Sequence, residues 1–156
     1  MKNIDPAIRN AVRAVVLRNE HILLLRKEGG GQGERFALPG GAQDAGETLV
    51  EALNRECLEE IGTAVRVKGL LNVADYFKQR DTELASFRHV VEFFFACSVA
   101  DDYQPGNGYR PDKHQVGVVW KELSALDQIP ILPKFLGAYL ANPGQYGDAA
   151  YLGKIE

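Results

Sequence analysis

Apolar residues in this chain recur in short runs typical of strands. Runs rich in β-branched and aromatic residues predict β-strands at residues 11–17, 21–25, 36–38, 65–67, 70–74, 89–99 and 116–120. The polar tripeptide between the first two runs predicts a hairpin. Residues 89–99 (HVVEFFFACSV) are apolar on both faces, which predicts a central strand that is covered on both sides.

Two segments have helical patterns. Residues 48–61 contain no internal Gly or Pro, and Gly62 follows where a helix C-cap belongs. A terminal helix is predicted at residues 133–140, whereas the tail from Asn142 carries no clear pattern. The length of 156 residues suits one domain with a single sizeable core, and we see no repeat or linker.

Three glycine-containing segments predict loops. Residues 28–36 (EGGGQGERF) lack the ending of a phosphate-binding P-loop, so a mobile connector is the favoured interpretation. The turn at residues 39–41 (Pro-Gly-Gly) permits a close approach of the backbone to a ligand. Residues 100–115 form a long polar loop, and loops of that length are often functional.

Composition restricts the class of protein. No apolar stretch reaches the roughly 18 to 20 residues of a membrane span, and the N-terminal residues lack an apolar signal core. Cys57 and Cys97 lie within apolar segments, which predicts buried thiols in a reducing compartment. We therefore expect a cytoplasmic protein without membrane association. The net charge of -3 makes nucleic acid an unlikely partner.

The acidity is concentrated around the predicted helix at residues 48–61. Between Gly41 and Thr63 there are six acids and one base, so this segment carries -5 while the remainder sums to +2. At about 100° per residue, Glu56, Glu59 and Glu60 share one arc of the helix. Such like-charge neighbours cost a few tenths of a kcal/mol each, so the pattern predicts a compensating partner. The adjoining arc is apolar and comprises Leu49, Val50, Leu53, Cys57 and Ile61.

Two interpretations of the acidic arc remain open at this point. Glu is a good exposed helix former, so a solvated face is one alternative. The other is a metal site, because the acids lie against the apolar seam and follow the Pro-Gly-Gly turn. Ligand sets made only of oxygen suit Mg²⁺ or Mn²⁺ and do not suit zinc.

A known signature runs through this acidic segment. Gly41, Glu47 six positions later, and the run at residues 55–62 (RECLEEIG) resemble the Nudix box of the Nudix hydrolases. Every charged and glycine position of the box is met, and Thr63 is the one departure, where a bulky aliphatic residue is usual. Phe36 stands where the family commonly has tryptophan. The resemblance covers most of residues 8–140.

The resemblance implies an α/β fold, an α/β/α sandwich around a mixed β-sheet. It also implies hydrolysis of a diphosphate linkage in a nucleoside diphosphate joined to another group, with Mg²⁺ or Mn²⁺ as cofactor and water attacking phosphorus. ADP-ribose or a nucleotide sugar is the preferred substrate. Oxidised nucleoside triphosphates, dinucleoside polyphosphates and a nucleotide-sensing module without turnover remain as alternatives, and both a monomer and a homodimer are open.

The family pattern also carries over to individual residues. Glu56, Glu59, Glu60 and the carbonyl of Gly40 are the implied metal ligands. Glu56 and Glu59 are the candidates for the general base within the box, and Arg55 can brace Glu59 from four positions earlier. Glu47 can contribute only from the turn before the helix or by holding Arg55.

Residues outside the box are the least determined. Phe36 and Glu92 are candidate substrate contacts. Glu92 lies on an apolar strand and should have a partner, because unpaired buried charge is costly. His89 lies on the other strand face and is expected to be structural. Acids outside the box that could serve as the base are Glu92, Asp101, Asp102, Asp112 and Glu122.

Overall fold

A large mixed β-sheet dominates the protein, and few helices accompany it. The computed structural model describes residues 3–80 and 86–156. The strands are β1 (Ile4–Arg18), β2 (His21–Lys27), β3 (Arg35–Ala37), β4 (Gly40–Ala42), β5 (Arg66–Arg80), β6 (Ser86–Ser98), β7 (Gln115–Glu122) and β8 (Tyr151–Ile155). The helices are α1 (Leu49–Ile61) and α2 (Leu136–Leu140), with 3-10 turns at Leu123–Gln128 and Pro143–Gln145.

The strand order is β3-β2-β1-β6-β5-β8, with β4 paired to β1 and β7 paired to β2. The pairs β1–β6 and β5–β8 are parallel, and the other pairs are antiparallel. β6 therefore lies between β1 and β5, which confirms the predicted central strand. β4 runs beside β1 at Ala11–Arg13, and β2 pairs with β1 only next to the hairpin turn, where the first two residues of β2 lie opposite the last two of β1.

Several predicted strands have different lengths in the structure. The hairpin at Asn19 and Glu20 forms, with both residues in the left-handed region. β1 nevertheless begins seven residues earlier than predicted, because its N-terminal part pairs with β6. The runs at 65–67 and 70–74 belong to one strand, β5, with irregular register near Gly69. The Gly40-Gly41 turn is itself the short strand β4.

The predicted helix at residues 48–61 is confirmed, with Thr48 as its N-cap and Gly62 as a left-handed C-cap. Its buried side is rotated from the predicted one. Val50 is 42% exposed, whereas Ala52 and Glu60 are buried. Glu60 therefore points inward among apolar residues instead of lying beside them.

The C-terminal region differs most from prediction. The helix predicted at 133–140 is only the five-residue α2, because the preceding chain forms turns in which Leu136 N donates to Pro133 O and Gly137 N donates to Lys134 O. The tail ends in a strand, β8, which lies parallel to β5. No helix in the described residues combines the length and apolar character that crossing a bilayer would require.

Apolar residues pack on both faces of the sheet. On one face, α1 contributes Leu53 and Cys57 to a cluster with Val12 and Leu23. On the other face, Val15 and Leu24 pack under α2 and the 3-10 turn Leu123–Gln128. Adjacent residues of a strand therefore pack in opposite layers, because successive side chains of a β-strand point to opposite faces of the sheet. The resulting helix–sheet–helix layering is the α/β/α arrangement that the sequence implied.

Candidate active site

Arg55 connects the turn before α1 to the carboxylates on the helix. Its Nε and Nη2 donate to the two carboxylate oxygens of Glu47 at 2.6 and 3.0 Å. Nη2 also donates to the carbonyl of Ala42 at 2.9 Å. The hydrogen bond to Arg55 lowers the pKa of Glu47, and the same bond raises the pKa of Arg55. Glu47 thus lies outside the helix and holds Arg55, which is the second of the two roles considered for it.

The remaining donor of Arg55, Nη1, faces two of the helix acids. It lies 3.0 Å from Glu56 Oε1 and 3.4 Å from Glu59 Oε2. The brace between Arg55 and Glu59 that the sequence suggested is therefore present, but it is the longest of the Arg55 hydrogen bonds. Arg55 offsets part of the repulsion between these carboxylates and fixes their direction.

Glu60 is the most deeply buried acid of the site. It is 2% exposed, and its Oε1 accepts a hydrogen bond from the amide of Gly40 at 2.8 Å. Desolvation, together with the charges of Asp112 and Glu56, raises the pKa of Glu60 to about 8. Desolvation also raises the pKa of Glu56, against the opposing effect of Arg55.

The acidic arc is not a solvated face. The side chains of Glu56 and Glu59 are 15% and 12% exposed, and that of Glu60 is almost inaccessible. Burial makes the repulsion between these carboxylates stronger than it would be in water. The solvated-face interpretation is therefore wrong.

The two glycines of β4 let the carboxylates approach the backbone. A Cβ on Gly40, whose φ is +138°, would lie 1.9 Å from the carbonyl oxygen of Val12. A Cβ on Gly41 would lie 2.6 Å from the carboxyl carbon of Glu56. A larger residue at either position would displace β1 or Glu56. The close backbone approach that the sequence suggested is thus made to Glu56 and Glu60 themselves.

The loop between β6 and β7 closes the other side of the site. The amides of Gly108 and Arg110 donate to the carbonyls of Glu60 and Glu59, at 3.0 and 2.8 Å. Tyr103 donates its hydroxyl to the carbonyl of Ile61 at 2.7 Å. The last carbonyls of α1 are therefore bound by this loop, which is held across the end of the helix.

Gln115 joins this loop to the helix, and sequence reasoning did not single it out. Its Nε2 donates to the carbonyl of Glu60 at 2.8 Å and to Asn107 Oδ1 at 2.9 Å. Its Oε1 accepts from the amide of Asp112 at 2.9 Å. The only sequence signal was its place at the junction of the polar loop and a strand. Gln115 thus sets the position of Asp112 relative to the acids of α1.

A cleft of about 310 Å³ lies between the loop and α1. Its lining includes Glu56, Glu59 and Glu60 from the helix and Arg110, Asp112 and Lys113 from the loop. Asp112 receives a hydrogen bond from Lys27 at 2.6 Å. Although burial opposes it, the charge and hydrogen bond of Lys27 lower the pKa of Asp112.

Asp112 is the acid outside the box that lines this cleft. Asp101 and Asp102 are exposed at the start of the loop, and the side chain of Glu122 is 66% exposed. Glu92 is 2% exposed and bonded to Arg13, with Arg13 Nε 2.8 Å from Glu92 Oε2. Glu92 therefore has the expected partner, and its contact with substrate stays a prediction.

Other predicted residues are structural. Phe36 is 1% exposed and packs in the core beneath α2, with Lys121 above its ring at 5.0 Å. The side chain of Phe36 is therefore almost inaccessible, which leaves no surface for the predicted contact with substrate. His89 Nε2 lies 2.6 Å from Asp75 Oδ1, and its ring stacks on Phe77.

Both cysteines are free and buried, as predicted. Desolvation raises the pKa of the Cys97 thiol to about 12, and desolvation also raises that of Cys57. Neither thiol is therefore ionised near neutral pH, and only the ionised thiol is a good nucleophile.

The donor chemistry of the cleft suits a hard divalent cation. All its candidate ligands are oxygens, which Mg²⁺ and Mn²⁺ prefer, and two of the carboxylates carry raised pKa values that a cation would offset. Within residues 3–80 and 86–156, however, no three His, Cys, Asp or Glu side chains already form a ligand group. Glu56 and Glu59 face Arg55, so binding of a cation competes with these ion pairs.

Comparisons with known proteins show what this chain is similar to. The chain is 40% identical over 70 residues to an ADP-ribose pyrophosphatase of Methanocaldococcus jannaschii, a match that covers 45% of this chain and 40% of the relative. The fold of this chain is similar to that of an ADP-ribose pyrophosphatase from Streptococcus suis (TM-score 0.62, 20% identity, covering 94% of this chain and 97% of that one). It is also similar to a MutT protein from Methanosarcina mazei (TM-score 0.63, 21% identity, 85% and 90%).

The two solved structures are below 25% identity and establish the fold alone. The family model described as the NUDIX domain matches residues 7–141, which is most of the chain and includes every acid of the cleft. The chain belongs to the NUDIX family.

Proposed function

We propose that this protein is a pyrophosphohydrolase that cleaves the diphosphate linkage of a nucleoside diphosphate joined to another group, with Mg²⁺ or Mn²⁺ as its cofactor. One observation carries the proposal: Glu56, Glu59 and Glu60 are gathered in one cleft although each is largely removed from water. Such an arrangement is unfavourable by itself, and a cation shared with a diphosphate would make it favourable.

Glu56, Glu59, Glu60 and the Gly40 carbonyl are the residues that would hold the metal. Bound there, a divalent ion would neutralise the carboxylates and the diphosphate and would activate water for attack on phosphorus. The chain's own contribution is orientation. Gly40 holds Glu60 through its amide, and Arg55, held in turn by Glu47, directs Glu56 and Glu59.

Glu56 is the residue we propose as general base. Burial raises the pKa of Glu56 in the metal-free protein, and with the metal bound one of its two carboxylate oxygens could accept a proton while the other contacts the metal. Asp112 is less suited to accept a proton, because Lys27 lowers its pKa. Asp112 and Lys27 instead form a charged pair on the opposite wall of the cleft, where Arg110 adds a cation that suits a phosphate group.

ADP-ribose is the first substrate to test. The names of the relative from M. jannaschii and of the similar structure from S. suis both support this choice. Nucleotide sugars, oxidised nucleoside triphosphates and dinucleoside polyphosphates complete the panel. A cytoplasmic location and a homodimer stay predictions.

The test is hydrolysis of this panel with Mg²⁺ in ¹⁸O-labelled water. We expect ADP-ribose to be cleaved and the label to appear on a product phosphate, because water attacks phosphorus. A label on a sugar carbon would contradict the mechanism. Binding of a nucleotide without turnover of any substrate would favour a sensing module over an enzyme.

Cys97→Ala provides a control for the absence of a covalent intermediate. Cys97 is buried on the α1 side of β6 and is not part of the cleft. We expect the variant to lose stability and to keep its turnover number. Loss of turnover in a folded variant would reopen a route through a thiol.

A further inference from the structure

Two cations face each other at the end of the sheet face that lies opposite α1. Lys78 on β5 and Arg88 on β6 are directly opposed in the antiparallel pair. Alternate residues of a strand share a face, so Arg88 lies on the same side as Glu92 and Phe94. Phe94 belongs to the core beneath α2, and Arg88 therefore continues this core face towards the edge of the molecule.

This pair is unfavourable in two independent ways. Like charges directly opposite each other in a β-sheet destabilise it. In addition, Arg88 Nε is buried and has no hydrogen-bond partner, the one such side-chain atom identified in the described residues. Leaving a buried donor unpaired destabilises the folded state. The protein keeps both features at neighbouring positions.

Neighbouring charges do not neutralise Lys78. The positive charges of Arg13 and Lys27 act on it, and partial desolvation together with these charges lowers the pKa of its exposed side chain. Arg13 is bonded to Glu92, and Lys27 is bonded to Asp112. Glu92 and Asp112 are therefore already paired with other cations, and among the described residues no ion pair is formed by Lys78 or Arg88.

The cations that act on Lys78 also belong to the network around the active site. Lys27 is bonded to Asp112, which lines the cleft, and the charge of Arg13 acts on both Glu56 and Glu60. Two of the cations that act on Lys78, Arg13 and Lys27, therefore also act on or bind residues that line the cleft. The acids of α1 repel an anionic substrate and can bind it only through a cation. Lys78 and Arg88 are themselves cations and can bind an anion directly.

We infer that Lys78 and Arg88 form a subsite that binds a phosphate group of the substrate. An anion there would relieve the repulsion between the two side chains and supply an acceptor for Arg88 Nε. The inference rests on the proposed function for the identity of the substrate. The phosphate is either part of the scissile diphosphate or an additional phosphate on the substrate.

Binding of inorganic pyrophosphate in the presence of a chelator tests the subsite without turnover and without metal. Isothermal titration should show binding by the wild type and at least about tenfold weaker binding by Arg88→Gln and by Lys78→Gln, since a charge-assisted contact is lost. Arg66→Gln is the matched control, because Arg66 is an exposed cation at the opposite end of β5. It removes the same charge and should bind pyrophosphate as the wild type does.

Equal binding by the wild type, Arg88→Gln and Lys78→Gln, or no binding by the wild type, would overturn the inference. Lys78 is exposed, so Lys78→Gln should fold even if Arg88→Gln does not. The result does not depend on catalysis. Failure of the proposed function would appear as absent hydrolysis by a protein that still binds pyrophosphate through these two residues.

Kinetics with two substrates then separate the two sources of the phosphate. If the pair binds the scissile diphosphate, both variants should raise KM for ADP-ribose and for ADP-ribose 2′-phosphate alike. If it binds an additional phosphate, only KM for the 2′-phosphorylated substrate should rise. Either pattern supports the subsite, and unchanged KM for both substrates would overturn it.

Discussion

At the residue scale, the site depends on a buried acid, Glu60, and on a base that is surrounded by acids, Arg55. Glu60 is an acid in a poorly hydrated position, and desolvation is the main cause of its raised pKa. Arg55 is a base surrounded by acids, with a bidentate bond to Glu47 and single bonds to Glu56 and Glu59. Changes at these positions should therefore affect catalysis and stability differently.

Glu60 should make the metal-free protein less stable as pH rises. Its folded pKa of about 8 lies above the unfolded value of about 4.3, so the folded state binds the proton more tightly. The stability that Glu60 contributes is complete below about pH 4.3 and is lost as pH rises towards 8. The loss is at most about 5 kcal/mol, since one pKa unit corresponds to about 1.4 kcal/mol.

Glu60→Gln should remove this pH dependence and reduce turnover roughly a hundredfold. The amide keeps the shape of the side chain and cannot ionise. Denaturant unfolding with chelator at several pH values, compared between the variant and the wild type, measures the first effect. Parallel pH profiles for the two proteins would contradict the assignment, and near-wild-type turnover would remove Glu60 from the metal ligands.

Arg55→Lys should preserve the charge and lose most of the activity. A lysine ammonium is a single point charge and cannot reproduce the fork that contacts Glu47, Ala42 and Glu56 together. We expect kcat to fall roughly 10- to 100-fold with little change in the melting temperature. Arg66→Lys is the control, because Arg66 is exposed at the start of β5. Equal kcat in the two variants would mean that Arg55 acts only through its charge.

At the element scale, the loop between β6 and β7 forms part of the active site because it is bound to the end of α1. Gly108 makes this contact feasible. A Cβ at this position would lie 2.4 Å from the carbonyl oxygen of Glu59 and 2.5 Å from that of Leu58. Gln115 adds the side-chain link between Glu60 and Asp112. The loop and the helix therefore position the two walls of the cleft relative to each other.

Gly108→Ala should separate the loop from α1. We expect a loss of about 1–3 kcal/mol in the free energy of unfolding, as for overpacking, together with lower kcat because Asp112 is displaced. Gly106→Ala is the matched control, since a Cβ there meets nothing within 4 Å, and it should change stability by less than about 0.5 kcal/mol. Denaturant unfolding and steady-state kinetics of both variants decide the question. Similar behaviour of the two variants would mean that the loop tolerates movement away from the helix.

At the scale of the whole molecule, the cleft joins residues from several parts of the sheet to one helix. β4 supplies Gly40, α1 supplies the acids, β2 supplies Lys27 and the loop before β7 supplies Asp112. A ligand bound among these elements stabilises the folded state only, because the unfolded chain does not bring them together.

Mg²⁺ or Mn²⁺ should therefore raise the melting temperature. At 100 times its dissociation constant a ligand adds about 2.7 kcal/mol, which corresponds to a rise of roughly 5 °C or more for a chain of this size. Thermal unfolding with millimolar metal against chelator measures the effect, and Glu60→Gln should reduce it. An unchanged melting temperature in the wild type would argue against a metal site in the cleft.

Much of the site was predictable because its information is local in the chain. The helical period places Glu56, Glu59 and Glu60 on one arc, and the spacing of Glu47 from Arg55 is a property of one short segment. The burial of Glu60 was not predictable, because a helical period states direction around an axis and not what packs against it. Phe36 was misassigned for the same reason, since its burial depends on α2, far along the chain.

The sequence by itself determined most of the strands, the helix α1, the acidic arc and the family signature, because each depends on residues a few positions apart. Only the tertiary structure decided which distant groups meet. Gln115 contacts the carbonyl of Glu60 across 55 positions, and Arg13 pairs with Glu92 across 79. Such contacts form when the sheet and both of its apolar layers assemble together. Apolar burial is non-directional, so the local pattern of apolar residues does not state which distant residues will meet.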